Sequence, residues 1–346
     1  MARQEISTTR CVRRLPVNVK SGGGLDIPPE WEAAAAEILR RVRCTVLLVG
    51  GAGVGKSSFC RYLAETLGQR AEVDVVDADI GQTNLGPPAT ISLARFSGSV
   101  DFSAASPLAH FFVGSTNPMG RLLPLVIGTA NLAHQASAPF IIIDTTGLIH
   151  DTGRVLKNYK IEAVRPDVIV ALERRNELAP IRVANRHAHF IRLKPSRAAR
   201  PKDNGERIEV RTRAYARHFA NANRLELPLE ALAFQRTLLF TGKPAAREGA
   251  VHAEQTAEGL LIVGAPDRAP SGSKVLPVGF EHSLLCGVAD KTGRCRGLGI
   301  IDRIDFSSRV LALTTAVGSD QARIVQFGDL YVTPDGSELG QINWTW

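Results

Sequence analysis

At 346 residues the chain is long enough for about two domains and a sizeable buried core. With 44% hydrophobic, 22% charged and 6% aromatic residues, its composition excludes a disordered, collagenous or coiled-coil protein. A formal charge of +8, from 42 Lys+Arg against 34 Asp+Glu, favours a polyanionic partner without identifying one.

Residues 1–41 read as a leader with a short helix. Arg3, Arg10, Arg13 and Arg14 occur without an apolar run, so no secretory signal is expected. Gly22, Gly23 and Gly24 form a flexible stretch, and Asp26, Pro28 and Pro29 are start signals for an alanine-rich helix to about residue 41. From Cys44 onward, continuous apolar runs at 45–49, 73–76, 110–113, 140–143 and 168–172 alternate with helical patterns at 56–67, 120–135 and 154–162. This is the signature of doubly covered strands in a mainly parallel sheet with helices on both faces, an α/β P-loop fold spanning 42–232. The charge-free stretch 122–143 is interrupted by Pro124, Asn131, His134, Gln135, Ser137 and Pro139, so a helix followed by a buried strand is expected there and no membrane span.

Between Arg174 and Arg217, thirteen basic residues stand against four acidic ones, so this window carries +9 and the rest of the chain −1. Beyond about residue 232 the texture changes to short strand-like runs at 237–241, 260–263, 274–278, 284–288, 299–304, 310–314 and 323–327, separated by turn signals such as Asp290-Lys291-Thr292-Gly293. A small all-β barrel or sandwich over 233–346 is the expectation. Five cysteines, with no C-x-x-C pair, indicate neither a disulfide framework nor a zinc site and fit a reducing cytoplasm. His187 and His189 lack the acidic or cysteine companions of a metal site.

The chemistry is concentrated early in the chain. Gly50, Gly51, Ala52, Gly53, Val54, Gly55, Lys56 and Ser57 spell G-x-x-x-x-G-K-S, followed by Ser58, between a predicted strand and a predicted helix. Glycines let successive backbone N–H groups turn inward on phosphates, and the helix N-terminus adds its positive end. Lys56 is expected on the β- and γ-phosphates of ATP or another NTP, and Ser57 on Mg²⁺. Asp77 and Asp79 stand two apart at a strand end, where strand periodicity directs both to one face. One can assist the metal and the other meet a nucleophile; spacing does not separate them. Asp144 ends an apolar strand as a Walker B acid does, and Asp144-Thr145-Thr146-Gly147 completes D-x-x-G. A GTPase reading fails for want of N/T-K-x-D after the next strand, which ends in Glu173-Arg174-Arg175-Asn176. A Min/Par-type ATPase reading weakens because Gly51 stands where the signature lysine belongs.

These residues, with the 77–88 segment D-A-D-I-G-Q-T-N-L-G-P-P, the 112–118 segment F-V-G-S-T-N-P and residues 157–172, resemble the polynucleotide 5′-hydroxyl kinases related to the pre-mRNA cleavage-complex and ribosomal-RNA-processing kinases. The resemblance spans about 31–232, and 287–339 looks like the β module of short, archaeal-type members. It implies transfer of an NTP γ-phosphate to the 5′-OH of RNA or DNA, with Asp79 as base and Asp77, Asp144 and Ser57 supporting Mg²⁺. It further implies that Gln82, Gly114, Ser115, Thr116 and Thr146 contact the acceptor. A mobile lid at about 195–220 would bring Arg207 and Arg211, which share a helix face at i, i+4, over the phosphates. RNA-processing protein partners are also implied. Phe111, Phe112, Tyr159 and Tyr215 are candidates to stack a terminal base, and Leu148 stands where the family often has an aromatic. The alternative is an ATP-binding assembly or scaffold protein of RNA processing that transfers nothing.

Overall fold

The computed structural model describes residues 26–266 and 269–344. The N-terminal arginines, the 22–24 glycine stretch, Cys11 and Asp267 lie outside the described residues.

The first helix, α1 (Pro29–Leu39), begins with a proline whose missing N–H is no loss in a first turn. There follow β1 (Cys44–Gly50), α2 (Lys56–Gly68), β2 (Val73–Ala78), β3 (Thr90–Phe96), β4 (Ala109–Phe112), α3 (Leu122–Gln135), β5 (Phe140–Thr145), α4 (Thr152–Val164), β6 (Val168–Leu172), α5 (Ala179–Ala184), β7 (Phe190–Leu193) and α6 (Asn204–Phe219). Strands β2-β5-β1-β6-β7 lie side by side and all run parallel. Their apolar continuity follows from cover on both faces: Trp31 of α1 and Phe59 and Leu63 of α2 pack on one, Leu125 of α3, Leu156 of α4 and Ile181 of α5 on the other. β1 sits between β5 and β6, so the chain reverses direction of winding there and opens a crevice at the strands' C-terminal ends. The charge-free stretch resolves into α3 and β5, and no helix among the described residues is long and apolar enough to cross a membrane.

Past β2 the sheet becomes antiparallel, β3 pairing with β2 and β4 with β3. The 110–113 run, expected as a doubly covered strand, is instead this short antiparallel β4, half-buried at its first three positions. An apolar run reads the same in either setting, because its composition carries no strand direction.

The remaining strands are β8 (Asn223–Pro228), β9 (Ala233–Gln235), β10 (Lys243–Pro244), β11 (Ala250–Thr256), β12 (Gly259–Gly264), β13 (Lys274–Leu276), β14 (Leu284–Ala289), β15 (Cys295–Asp305), β16 (Val310–Thr315), β17 (Ile324–Val332) and β18 (Glu338–Gln341). β14 to β18 continue the main sheet, joined to β4 through the Cys295–His110 pair, while β10 to β13 form a separate four-stranded sheet. The strand expected at 237–241 is a turn, since Arg236 and Phe240 take positive φ of 64° and 66° and break any extended run.

Candidate active site

The crevice at the ends of β1, β2 and β5 is a cleft of about 750 Å³. Its floor is the P-loop. Gly53 and Gly55 adopt φ of 68° and 88°, a left-handed backbone open to glycine at little cost, and this turns the loop into the start of α2. Lys56 and Ser57 open that helix, whose N-terminal N–H groups have no partners within the helix and face the cleft.

Ser57 Oγ donates to Asp144 Oδ2 at 2.6 Å, and Asp144 Oδ1 accepts from the Thr145 N–H at 2.9 Å. Parallel pairing of β5 with β1 brings the two motifs together across 87 residues. A hydroxyl and a carboxylate converging beside a phosphate cradle are hard oxygen donors of the kind Mg²⁺ takes. Lys56 is buried and donates to the Gly51 carbonyl at 2.9 Å. Burial lowers its pKa, while Asp144 and Asp79 pull it back up. Burial likewise raises the Asp144 carboxyl against the pull of Lys56 and Ser57.

Asp77 and Asp79 part company. Asp77, still within β2, is buried, and its carboxylate accepts from the N–H groups of Asp79, Asn84 and Leu85 and from the Thr83 hydroxyl. Burial and Asp144 push its pKa up to about 7. A carboxylate so engaged organises the 79–85 turn: Oδ2 takes three of the four donors, and Oδ1 takes one, the Asp79 N–H at 3.2 Å. Asp79 lies just beyond the strand end, where period-two alternation lapses. It lines the cleft and uses Oδ1 to accept from Gly81 and Gln82 N–H at 3.2 Å each. Among the described residues, Oδ2 has no hydrogen-bond partner.

Of the residues expected on the acceptor, Gln82, Thr116 and Thr146 line this cleft. Gly114 and Ser115 are not brought to it. Gly114 donates its N–H to the Ala89 carbonyl, and Ser115 faces a second cavity of about 580 Å³ together with Arg121, Arg236, Asp329 and Trp344. The extended segment alternates sides, so Thr116 and Pro118 look into one cavity and Ser115 and Asn117 into the other. Of the candidate stacking rings, Tyr215 and Phe112 are buried core residues, Phe111 is half-buried and Tyr159 is exposed.

The basic segment forms the cleft's upper wall. Asp203 and Glu206 make a reciprocal capping box at the start of α6. Arg174 of the β6–α5 loop donates to the carbonyls of Gly53 and Ala199 at 3.1 and 3.0 Å, tying the strap before α6 to the P-loop. Arg207 and Arg211 both line the cleft. Arg207 Nε donates to the Lys202 carbonyl at 3.2 Å, and Arg211 holds Glu338 of β18.

Two residues escaped the sequence reading. Lys157 and Lys160 of α4 are fully buried behind the acids, although residues 157–172 carry part of the family resemblance. Lysines one turn apart on an amphipathic helix ordinarily signal its wet face; only Leu156 and Ile161 beside them hinted otherwise. Burial lowers Lys160 to about 7 and takes Lys157 well below the usual range.

Residues 50–221 match the family described as mRNA cleavage and polyadenylation factor CLP1 P-loop. A polyribonucleotide 5′-hydroxyl-kinase of Pyrococcus furiosus is 35% identical over 340 residues, covering 91% of this chain and 95% of that protein. The chain belongs to the polynucleotide 5′-hydroxyl kinase family. The kinase of the same name from Pyrococcus horikoshii is 34% identical over 346 residues, covering 91% of this chain and 94% of that one. A solved structure of the wild-type Clp1p–Pcf11p complex shares the fold, with a TM-score of 0.61 at 12% identity over 86% of this chain and 78% of the other.

Proposed function

We propose that this chain transfers the γ-phosphoryl group of ATP to the 5′-hydroxyl end of a polynucleotide. The observation that carries the reading is the open Oδ2 of Asp79 in one cleft with Lys56 and Ser57. The names and near-full coverage of the Pyrococcus relatives support it.

In this reading the P-loop N–H groups and Lys56 bind the phosphates, the Lys56 ammonium keeping two N–H donors beyond its bond to the Gly51 carbonyl. Ser57 and Asp144 hold Mg²⁺, with Asp77 fixing the neighbouring turn. When bound, the ion neutralises charge on the β- and γ-phosphate oxygens. Asp79 Oδ2 accepts the proton of the attacking 5′-hydroxyl, with Gln82, Thr116 and Thr146 beside the acceptor. Phosphoryl transfer is mostly positioning and charge neutralisation, so these parts suffice when the arginine-rich wall excludes water and covers the equatorial oxygens. The +9 segment suits a phosphate backbone better than a neutral metabolite.

The test is incubation with γ-labelled ATP, Mg²⁺ and 5′-OH RNA and DNA oligonucleotides. Label on the 5′ end, lost in Lys56→Ala, is expected; ATP hydrolysis with neither oligonucleotide labelled would turn the assignment to an assembly ATPase.

A further inference from the structure

Neither α4 lysine lines the nucleotide cleft, yet Lys157 is bonded to its wall. Its ammonium donates to Thr145 Oγ1 at 2.8 Å, to the Thr146 carbonyl at 2.6 Å and to Thr146 Oγ1 at 3.3 Å. The Thr145 hydroxyl in turn donates to the Leu48 carbonyl at 2.7 Å. A continuous set of hydrogen bonds thus runs from α4 through the end of β5 to β1, the strand that feeds the P-loop. The residue after Thr146 is glycine for a steric reason: a Cβ on Gly147 would stand 2.7 Å from the Ala52 backbone nitrogen. The Thr146–Gly147 turn therefore rests directly on the P-loop, and Lys157 is what ties it down from behind.

Packing does not account for this lysine. Removing an ammonium from water costs on the order of several kcal/mol, and an apolar side chain of the same length would fill the space without that cost. Lys157 meets no carboxylate in an ion pair among the described residues; its ammonium bonds to oxygens of Thr145 and Thr146.

We propose that Lys157 is a positioning residue for phosphoryl transfer, its ammonium seating the Thr146–Gly147 turn against Ala52 so that the turn meets the γ-phosphate end of the NTP. The inference rests on the kinase reading of the cleft. Lys157 touches neither substrate; it acts through Thr146. Loosening a wall that contacts the reacting end alone should impair the chemical step and the recognition of a third phosphate, and leave ADP binding nearly untouched.

The experiment compares wild type, Lys157→Met, Thr146→Val and the double variant. Transfer to a 5′-OH oligonucleotide is measured, and calorimetry with Mg²⁺ gives affinities for ADP and for a non-hydrolysable ATP analogue. Lys157→Met should lower kcat on the order of 100-fold, as small misplacements of reacting groups do. It should cut the preference for the ATP analogue over ADP about tenfold, the scale of one lost hydrogen bond to a charged group. Because the lysine acts through Thr146, the double variant should be no worse than the more severe single variant. Losses that multiply in the double variant, or wild-type kcat and nucleotide preference in Lys157→Met, overturn the proposal. If Lys157→Met does not fold, Lys157→Gln, which keeps an N–H donor without the charge, is read in its place. A wild type that phosphorylates no oligonucleotide sinks the kinase reading by itself; the nucleotide preference then decides whether Lys157 seats the turn.

Discussion

Arg211 on α6 and Glu338 on β18 form a two-point ion pair, Nε to Oε1 at 2.6 Å and Nη2 to Oε2 at 2.8 Å, that joins the cleft's basic wall to the last strand of the main sheet. The guanidinium borders the cleft while Nε and one N–H of Nη2 are committed to Glu338. If α6 is a lid and Arg211 a phosphate ligand, closure exchanges this carboxylate for phosphate oxygens of similar geometry.

That exchange yields the first prediction. Arg211→Ala should lower kcat on the order of 10³-fold, as loss of an arginine finger does, and Arg211→Lys should fail to rescue it because the planar fork is gone. Glu338→Gln, which frees the guanidinium without removing it, should leave kcat within a few-fold of wild type. Steady-state kinetics at saturating oligonucleotide checks this. Equal, modest losses in Arg211→Ala and Glu338→Gln would make the pair an anchor for α6 instead.

The second prediction separates the two acids. Asp79→Asn should abolish transfer while sparing Mg-ATP binding, since the amide keeps the shape but cannot take the hydroxyl proton. Asp77→Asn exchanges an acceptor of four donors for an amide whose NH₂ opposes one or more of them, so it should lower the melting temperature by several degrees as well as activity. Calorimetric melting and nucleotide titration of both variants distinguish the roles. Loss of nucleotide binding in Asp79→Asn would move that residue to the metal.

The parts of this site legible in the sequence are those set by local geometry. The P-loop reads directly because its glycines, lysine and serine act within a few residues of one another, and Asp144 reads from the apolar strand it ends. The roles of Asp77 and Asp79 did not separate, because β2 stops at Ala78 and alternation no longer governs the next side chain. Strands β3, β7, β8, β9, β10, β11 and β18 went unread. β7 and β8 are short or polar, with sequences FIRL and NRLELP, and take their form from neighbours distant in the chain. The two α4 lysines are the same lesson in reverse: their burial is a tertiary fact about what α4 lies against, and charge alone argued for solvent.

The last prediction concerns acid. His110 of β4 and His218 of α6 lie edge to face with ring centroids 6.4 Å apart, at the junction of β4, β15 and α6. His218 Nε2 accepts from the Leu298 N–H at 3.1 Å, which requires that nitrogen to be unprotonated, and His110 Nδ1 pairs with Ser92 Oγ at 2.9 Å. Burial lowers both to about 4 from an ordinary 6.5, with His110 adding to the shift on His218. Between those values the unfolded chain holds protons that the native protein does not, so stability falls as pH drops from about 6.5 towards 4 and is unaffected by these groups above that window. At about 1.4 kcal/mol per pKa unit the pair accounts for a loss of at most about 7 kcal/mol, enough to matter against a stability of roughly 5 to 15. Thermal melting from pH 7.5 to 4.5 should therefore show a descending limb. In His218→Gln that limb should flatten, because the neutral amide still accepts the Leu298 N–H and cannot be charged in this range. A limb of unchanged depth in that variant would assign the acid sensitivity to other groups.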